Sequence, residues 1–209
     1  MTLETRDLIL DAGKTEGTTR NQHRAASRQG FTLVETSIVI ALTVFELAAL
    51  TNLYILFNST YGYEEASIAT AGSSSAAMSA FGEAVLPARR ILSSRDFTGT
   101  VYESAAATLV LEVPAVDSAG GLIPDTYDHI AFYTSGNSLY RLTESAPGSI
   151  RRSGLTLLSS TLASLSFAYD NPAVESSTSV AADLSTRAQF KQQAVESRLS
   201  GIWYLRNLP

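Results

Sequence analysis

The longest hydrophobic run of the chain lies near its N-terminal end. Residues 31–57 read FTLVETSIVIALTVFELAALTNLYILF, and Glu35 and Glu46 are their only charged side chains. About 20 mainly apolar residues suffice for a helix to cross the hydrocarbon core of a bilayer. The β-branched residues do not argue against a helix, because lipid forces the backbone to satisfy its hydrogen bonds within the segment. The pattern predicts a membrane-spanning helix.

The charges on either side of this run predict its orientation. Residues 17–30 carry three arginines and no acid, whereas Glu64 and Glu65 are the first charges beyond the run. Cytoplasmic flanks collect Lys and Arg, so we expect the N-terminus inside and the C-terminal region exported. A secretory signal peptide has its small cleavage-site residue after the apolar core. Here the small residue, Gly30, precedes the core.

The helical pattern continues beyond the span. Residues 63–92 are rich in Ala and Ser, and four larger apolar residues recur at helical spacing, a stripe typical of core packing: Met78, Phe81, Val85 and Leu92. We expect Pro87 to kink or nearly end this helix. Gly62, Gly72 and Gly82 weaken it, and residues 73–75, three serines beside Gly72, are where fraying is expected.

From Phe97 onward the pattern changes to that of strands. Residues 108–113 form a short apolar run ended by Pro114, and residues 118–121 form a loop. Residues 130–133 and 138–142 flank Ser-Gly-Asn, which predicts a β-hairpin with a short turn.

The remaining strands are predicted from alternation and composition. Residues 162–169 alternate, which places Ala163, Leu165, Phe167 and Tyr169 on one apolar face. Residues 179–184 and 201–205 are also predicted as strands, and residues 188–197 fit either a strand or a helix.

Together these patterns predict an α+β protein in which a long N-terminal helix, membrane-spanning in its first half, packs on a small, mostly antiparallel sheet. The predicted parts are a cytoplasmic leader (1–30), a transmembrane and assembly helix (31–57), an exported continuation of the helix (58–96) and an exported β-rich domain (97–209).

The segment just before and inside the span carries a specific motif. Residues 28–35 read RQGFTLVE and resemble the processing site of type IV prepilins and type II secretion pseudopilins. The resemblance implies that a membrane prepilin peptidase cleaves after Gly30 and N-methylates the new first residue, Phe31. It also implies that Glu35 is an assembly residue, which pairs with the N-terminal amine of a neighbouring subunit.

Physical reasoning favours the same roles. Gly30 has no Cβ and lets the backbone lie extended in a narrow protease cleft. An acid at the centre of a membrane helix costs roughly 2.5–3.5 kcal/mol, and less near an end, so Glu35 needs a partner. Cleavage supplies one, because each mature subunit offers an amine at Phe31.

Glu46 lies eleven residues after Glu35, so both acids project from one helix face about 16 Å apart. Two interpretations are open: a protonated acid tolerated by a strongly apolar helix, or a contact made only in the assembled bundle. We favour the contact, because a partner relieves the cost of burying the acid.

A second, looser resemblance covers residues 98–207. The order of the strands, with YDHIAFY, LYR, LSFAYDN and a closing WYLRN, is similar to minor pilins and J-class minor pseudopilins. The chain departs from them in its long leader, which contains four acids, and at residues 189–193, which are more polar and helix-like than the usual penultimate strand.

Composition argues against nucleic-acid binding and excludes sites that need cysteine. The formal net charge is −5, and the part after residue 30 keeps 10 basic residues (15 less 5) against 16 acidic ones (20 less 4). Nucleic acid is therefore not an expected partner, because phosphate binding requires clustered Lys and Arg. The chain has no Cys, which rules out disulfides and thiolate metal sites.

No residues suggest catalysis. His23 lies in the leader, and His129 has no second His or Cys nearby in the sequence. Four acids offer oxygen ligands for calcium without EF-hand-like spacing, and we interpret them as solvated loop acids: Asp125, Asp128, Asp170 and Glu175. We expect no enzyme activity, no cofactor, no metal and no small-molecule substrate.

The expected function is structural: a subunit, minor in its class, of a type IV pilus or a type II secretion pseudopilus in the bacterial inner membrane. Its expected partners are the prepilin peptidase, other pilin or pseudopilin subunits, and inner-membrane lipid before assembly. The alternative is a single-pass protein whose exported domain binds or acts on something else and uses a pilin-like segment as its anchor.

Overall fold

A computed structural model describes residues 31–191 and 193–206. Gly30 and the rest of the predicted leader lie outside the described residues. The chain divides into two units: one ends at Leu50 and, in its described part, is the first portion of the long helix; the other begins at Thr51 and contains the sheets. The predicted fold class is confirmed, because one long apolar N-terminal helix packs on antiparallel sheets.

The helix, α1, covers Leu33–Val85 and is shorter than predicted. Its last backbone bond runs from the Leu86 N–H to the Gly82 carbonyl (3.1 Å). The expectation that it extends through residue 96 is wrong for residues 86–96, and Leu92 of the predicted stripe lies outside it. Pro87 lacks an N–H and disfavours helical geometry in the residue before it, so the helix ends there.

The expected fraying near Gly72 is also wrong, since α1 is continuous through the three serines. Tertiary hydrogen bonds hold this stretch: the hydroxyl of Ser73 donates to that of Ser159 (2.7 Å), and Ser74 and Ser197 share a hydrogen bond (3.0 Å). Contacts of this kind outweigh a weak local propensity.

Ten strands follow α1 in the described part of the chain. They are β1 Arg90–Ile91, β2 Ser94–Phe97, β3 Thr100–Glu103, β4 Thr108–Val116, β5 Leu122–Ser135, β6 Ser138–Glu144, β7 Gly154–Ser159, β8 Leu162–Tyr169, β9 Ser179–Phe190 and β10 Gln193–Tyr204. They form a five-stranded sheet in the order β1-β4-β5-β6-β7, a three-stranded sheet β10-β9-β8 and a small β2-β3 ribbon.

The predicted β5–β6 hairpin is confirmed, with Gly136 and Asn137 forming its turn. The expectation that Pro114 ends β4 is wrong. The strand continues to Val116, because the pairing with β5 shifts register just after the proline. Residues 188–190 and 193–197 belong to the paired strands β9 and β10 and are not helical.

On β8 the predicted apolar face is confirmed for Leu165, Phe167 and Tyr169 and wrong for Ala163, which is exposed. A register shift between Leu162 and Ser164 buries Leu162 in its place.

The second half of α1 supplies the centre of the core. Small residues let both larger sheets approach the helix, and Phe81 fills the space between them. Its ring packs edge-on against Phe132 (centroids 4.9 Å apart), Phe167 (5.2 Å) and Trp203 (6.1 Å). Phe132 belongs to the five-stranded sheet and the other two to the three-stranded sheet, so one side chain joins both sheets to the helix.

We expect Phe81→Ala to lower the free energy of unfolding by about 3–5 kcal/mol, because it opens a cavity among three rings. Denaturation of the full chain in detergent, followed by the fluorescence of Trp203, the only tryptophan, measures this. Ile68→Ala is the matched control, since Ile68 is exposed on the same helix; its effect should stay within about 0.5 kcal/mol. Equal effects of the two changes would contradict this assignment of the core.

Candidate functional site

The start of α1 is built by Thr32 and Glu35. The Glu35 N–H donates to the Thr32 hydroxyl (3.2 Å), and the Thr32 N–H donates to Glu35 Oε2 (3.3 Å). This reciprocal pair is a capping box, in which Thr32 is the N-cap residue and Glu35 the third helical residue. The sequence analysis missed it, although the Thr-x-x-Glu spacing contains the signal.

Phe31, the predicted new N-terminus, lies just before this cap and is 80 % exposed. The apolar side chains of residues 33–57 are exposed in the same way, and none of the most apolar 18-residue window is buried. Among the described residues, α1 is the one helix that is long and apolar enough to span a membrane, and it lies near the N-terminus. A bare apolar surface of this length needs lipid or other helices to cover it.

The hydroxyl groups within the span bond to the backbone of their own helix. Thr36, Ser37 and Thr43 donate to carbonyls four residues earlier, at 3.2, 2.8 and 2.9 Å. Each donor is therefore satisfied without water. The hydroxyl oxygens can still accept a hydrogen bond from a neighbouring helix.

Four polar side chains of the span share one side of the helix, whereas Ser37 lies on another. At 100° per residue, Thr36, Thr43 and Glu46 fall within roughly 80° of arc, and Glu35 lies at its edge. Glu46 is exposed, and no hydrogen bond or ion pair of its carboxylate is found within residues 31–191 and 193–206. Polar side chains that share a face of a membrane helix are suited to bonds across a helix–helix interface.

The acids considered for calcium have other partners. Asp128 is fully buried, not solvated as expected, and accepts hydrogen bonds from Arg151 Nη1 and the Ser149 hydroxyl, both at 2.7 Å. Asp170 accepts from Thr178 (2.6 Å), which lowers the pKa of its carboxyl, and Glu175 accepts from Ser93 (2.6 Å).

Asp125 is exposed. No group of three or more potential metal ligands occurs in the described part of the chain. The four acids considered as oxygen ligands thus form no such group among the described residues.

His129 belongs to a charge cluster around the buried Glu112. Glu112 accepts from Arg90 Nη2 (3.0 Å) and Arg89 Nη1 (3.3 Å), and His129 Nε2 lies 3.9 Å from Glu112 Oε2. Because Arg89 and Arg90 follow the end of α1, this cluster fixes the crossover from the helix to β4. Burial, assisted by the charge of Arg95, lowers the pKa of His129 despite the nearby acids.

Comparison with known protein families and curated proteins finds no match. No model of a known protein family matches the chain, and no curated protein matches it in sequence.

The lowered pKa of His129 predicts a pH dependence of stability. The unfolded chain binds a proton at His129 near pH 6.5, and the folded chain does so only at lower pH. The free energy of unfolding should therefore be highest above pH 6.5 and fall as the pH drops through that value. Denaturation of His129→Gln between about pH 8 and about pH 6 should show a smaller pH dependence than the parent. An unchanged slope would contradict the assignment.

Proposed function

We propose that the protein is a subunit, minor in its class, of a type IV pilus or a type II secretion pseudopilus. In this proposal it is anchored in the bacterial inner membrane with its N-terminus in the cytoplasm and its β-rich domain exported. The observation that carries the proposal is the RQGFTLVE motif directly in front of a bare apolar helix, with Glu35 in the first turn.

The exposed surface of residues 33–57 supports assembly through this helix. Its leucine, isoleucine and phenylalanine side chains are largely bare, for example Phe45 at 74 %. Before assembly, lipid covers them; in a filament, the same segments of other subunits replace the lipid. The polar face gives such a bundle a preferred register, because hydroxyl and carboxylate groups seek partners in an apolar medium.

The capping box refines the proposed role of Glu35. One carboxylate oxygen accepts from the backbone and hydroxyl of Thr32, which leaves acceptor capacity for a further donor. After cleavage behind Gly30, the new amine at Phe31 of a neighbouring subunit is a cation that suits this site. Glu35 thus has two separable tasks, starting the helix and pairing with a charge.

We expect Gly30→Val to leave the full-length precursor in the membrane, because a β-branched side chain crowds the scissile backbone. Immunoblotting and N-terminal sequencing measure this, and the parent should yield a methylated Phe31. Mature protein of normal size from the variant would contradict the cleavage assignment. An intact leader on the parent would favour the alternative, a single-pass anchor for an exported binding domain or enzyme.

The two acids of the span can be separated by substitution. Glu35→Ala loses both the cap and the charge, whereas Glu35→Gln keeps the capping hydrogen bonds and loses only the charge. If charge pairing drives assembly, both variants should be cleaved and inserted normally yet recovered poorly with their filament partners. Full recovery of Glu35→Gln would show that helix capping alone is the role of this residue.

Glu46→Leu tests the second acid by the same measurements of insertion and co-purification. The helix of this variant should insert into the membrane more easily, by roughly the 2.5–3.5 kcal/mol that a central acid costs. Reduced co-purification with filament subunits despite better insertion is the expected result. Unchanged recovery would mean that Glu46 makes no contact in the bundle and is only tolerated there.

A further inference from the structure

The β9–β10 turn rests on α1 just beyond the apolar run. β9 ends at Phe190 and β10 begins at Gln193. The ring of Phe190 lies directly on the helix backbone at Gly62, where an added Cβ would overlap the ring. Any side chain at this position would displace the Phe190 ring, so Gly62 allows the ring to approach the helix backbone this closely.

An open cleft lies beside this contact. Its volume is about 660 Å³, and it is lined by three residues of α1 and three at the turn: Ser59, Thr60, Tyr63, Phe190, Lys191 and Gln193. Two aromatic rings form apolar walls, hydroxyl groups sit at the helix side, and one cation stands at the turn. The Lys191 Nζ lies 5.2 Å from the centroid of the Phe190 ring.

The position of the cleft along α1 matches the depth of lipid headgroups. The apolar run ends at Phe57, and Ser59 to Tyr63 lie within about 9 Å of it along the helix axis. Headgroups occupy roughly 5–7 Å on each side of the hydrocarbon core. Tyr54 and Tyr61 are exposed on either side of this boundary, as is typical of aromatic residues at a membrane surface.

The charges around the cleft favour an anion. Lys191 is the only lysine after residue 30. The acids Glu64 and Glu65 line a different surface of α1, together with Tyr61 and Ile68. The basic group of the cleft is therefore not neutralised by these two carboxylates.

We propose that this cleft binds the headgroup of an anionic membrane phospholipid. Lys191 contacts the phosphate, the hydroxyl of Thr60 donates to a headgroup oxygen, and the rings of Tyr63 and Phe190 pack on the glycerol and upper acyl carbons. The hydroxyl of Ser59 donates to the Leu56 carbonyl (2.8 Å) and so borders the headgroup without donating to it. The exported domain then has a second contact with the membrane besides its helix. This inference rests on the membrane anchoring in the proposed function and is independent of filament assembly.

The test uses the full chain in dodecyl maltoside micelles, which contain no phosphate. Acetylation of Lys191 by an amine-reactive ester is followed by mass spectrometry while phosphatidylglycerol is added. One basic residue at an anionic surface predicts about five-fold slower acetylation. Phosphatidylcholine should protect less, and inorganic phosphate should not protect. Absent protection, or equal protection by inorganic phosphate, would overturn the lipid assignment.

Two pairs of variants separate the cleft from general surface electrostatics. Tyr63→Ala removes a wall of the cleft and should lose most of the protection, whereas Tyr61→Ala, on the other side of the helix, should keep it. Gly62→Ala displaces the Phe190 ring and should also lose protection; Gly72→Ala, where a Cβ meets nothing within 4 Å, should not. Equal protection within both pairs would overturn the proposal. Normal filament incorporation of Tyr63→Ala would leave the proposed function intact.

Discussion

One continuous helix has to satisfy two different surroundings, and the rest of the structure depends on this constraint. Up to Phe57 its surface is mainly apolar and bare, which suits lipid or a bundle of helices. From Thr70 onward one side is buried against both larger sheets. Close packing of this second half requires small residues where the sheets approach the helix, and Ala77, Ala80 and Ala84 supply them. Phe81 is the largest buried side chain of the helix, and it occupies the place where the two sheets meet the helix.

Polar groups on this helix follow the same division. In the apolar half, the hydroxyls of Ser37 and Thr43 donate to carbonyls of the preceding turn, which satisfies these donors without water. In the packed half, hydroxyls bond to the sheets, as Ser73 does to Ser159. Glu35 is held by the cap at Thr32, whereas Glu46 has no partner within the described chain. Under the proposed function, this difference makes Glu46 the clearer candidate for a contact formed on assembly.

Contacts with the sheets also explain why α1 is continuous although its sequence contains glycines that disfavour a helix. Glycines at 62 and 82 weaken helix propensity locally, yet each gives an aromatic ring direct access to the backbone: Phe190 at Gly62 and Trp203 at Gly82. The ring contacts offset a propensity loss of about 1 kcal/mol per glycine. Buried ion pairs act similarly at the sheet, where Arg151 with Asp128 ties the segment after β6 to β5.

The sequence by itself determined the fold class, the apolar span, the end of the helix near Pro87 and the β5–β6 hairpin, because each depends on local chemistry: length, periodicity, a missing N–H or turn residues. Only the tertiary structure decided what depends on partners distant in the chain. The serines after Gly72 stay helical because they bond to the sheets, and β8 buries Leu162 because its pairing with β9 shifts register. Asp128 is buried because Arg151 lies beside it. No local pattern encodes these pairings, since each forms between segments that meet only in the folded chain.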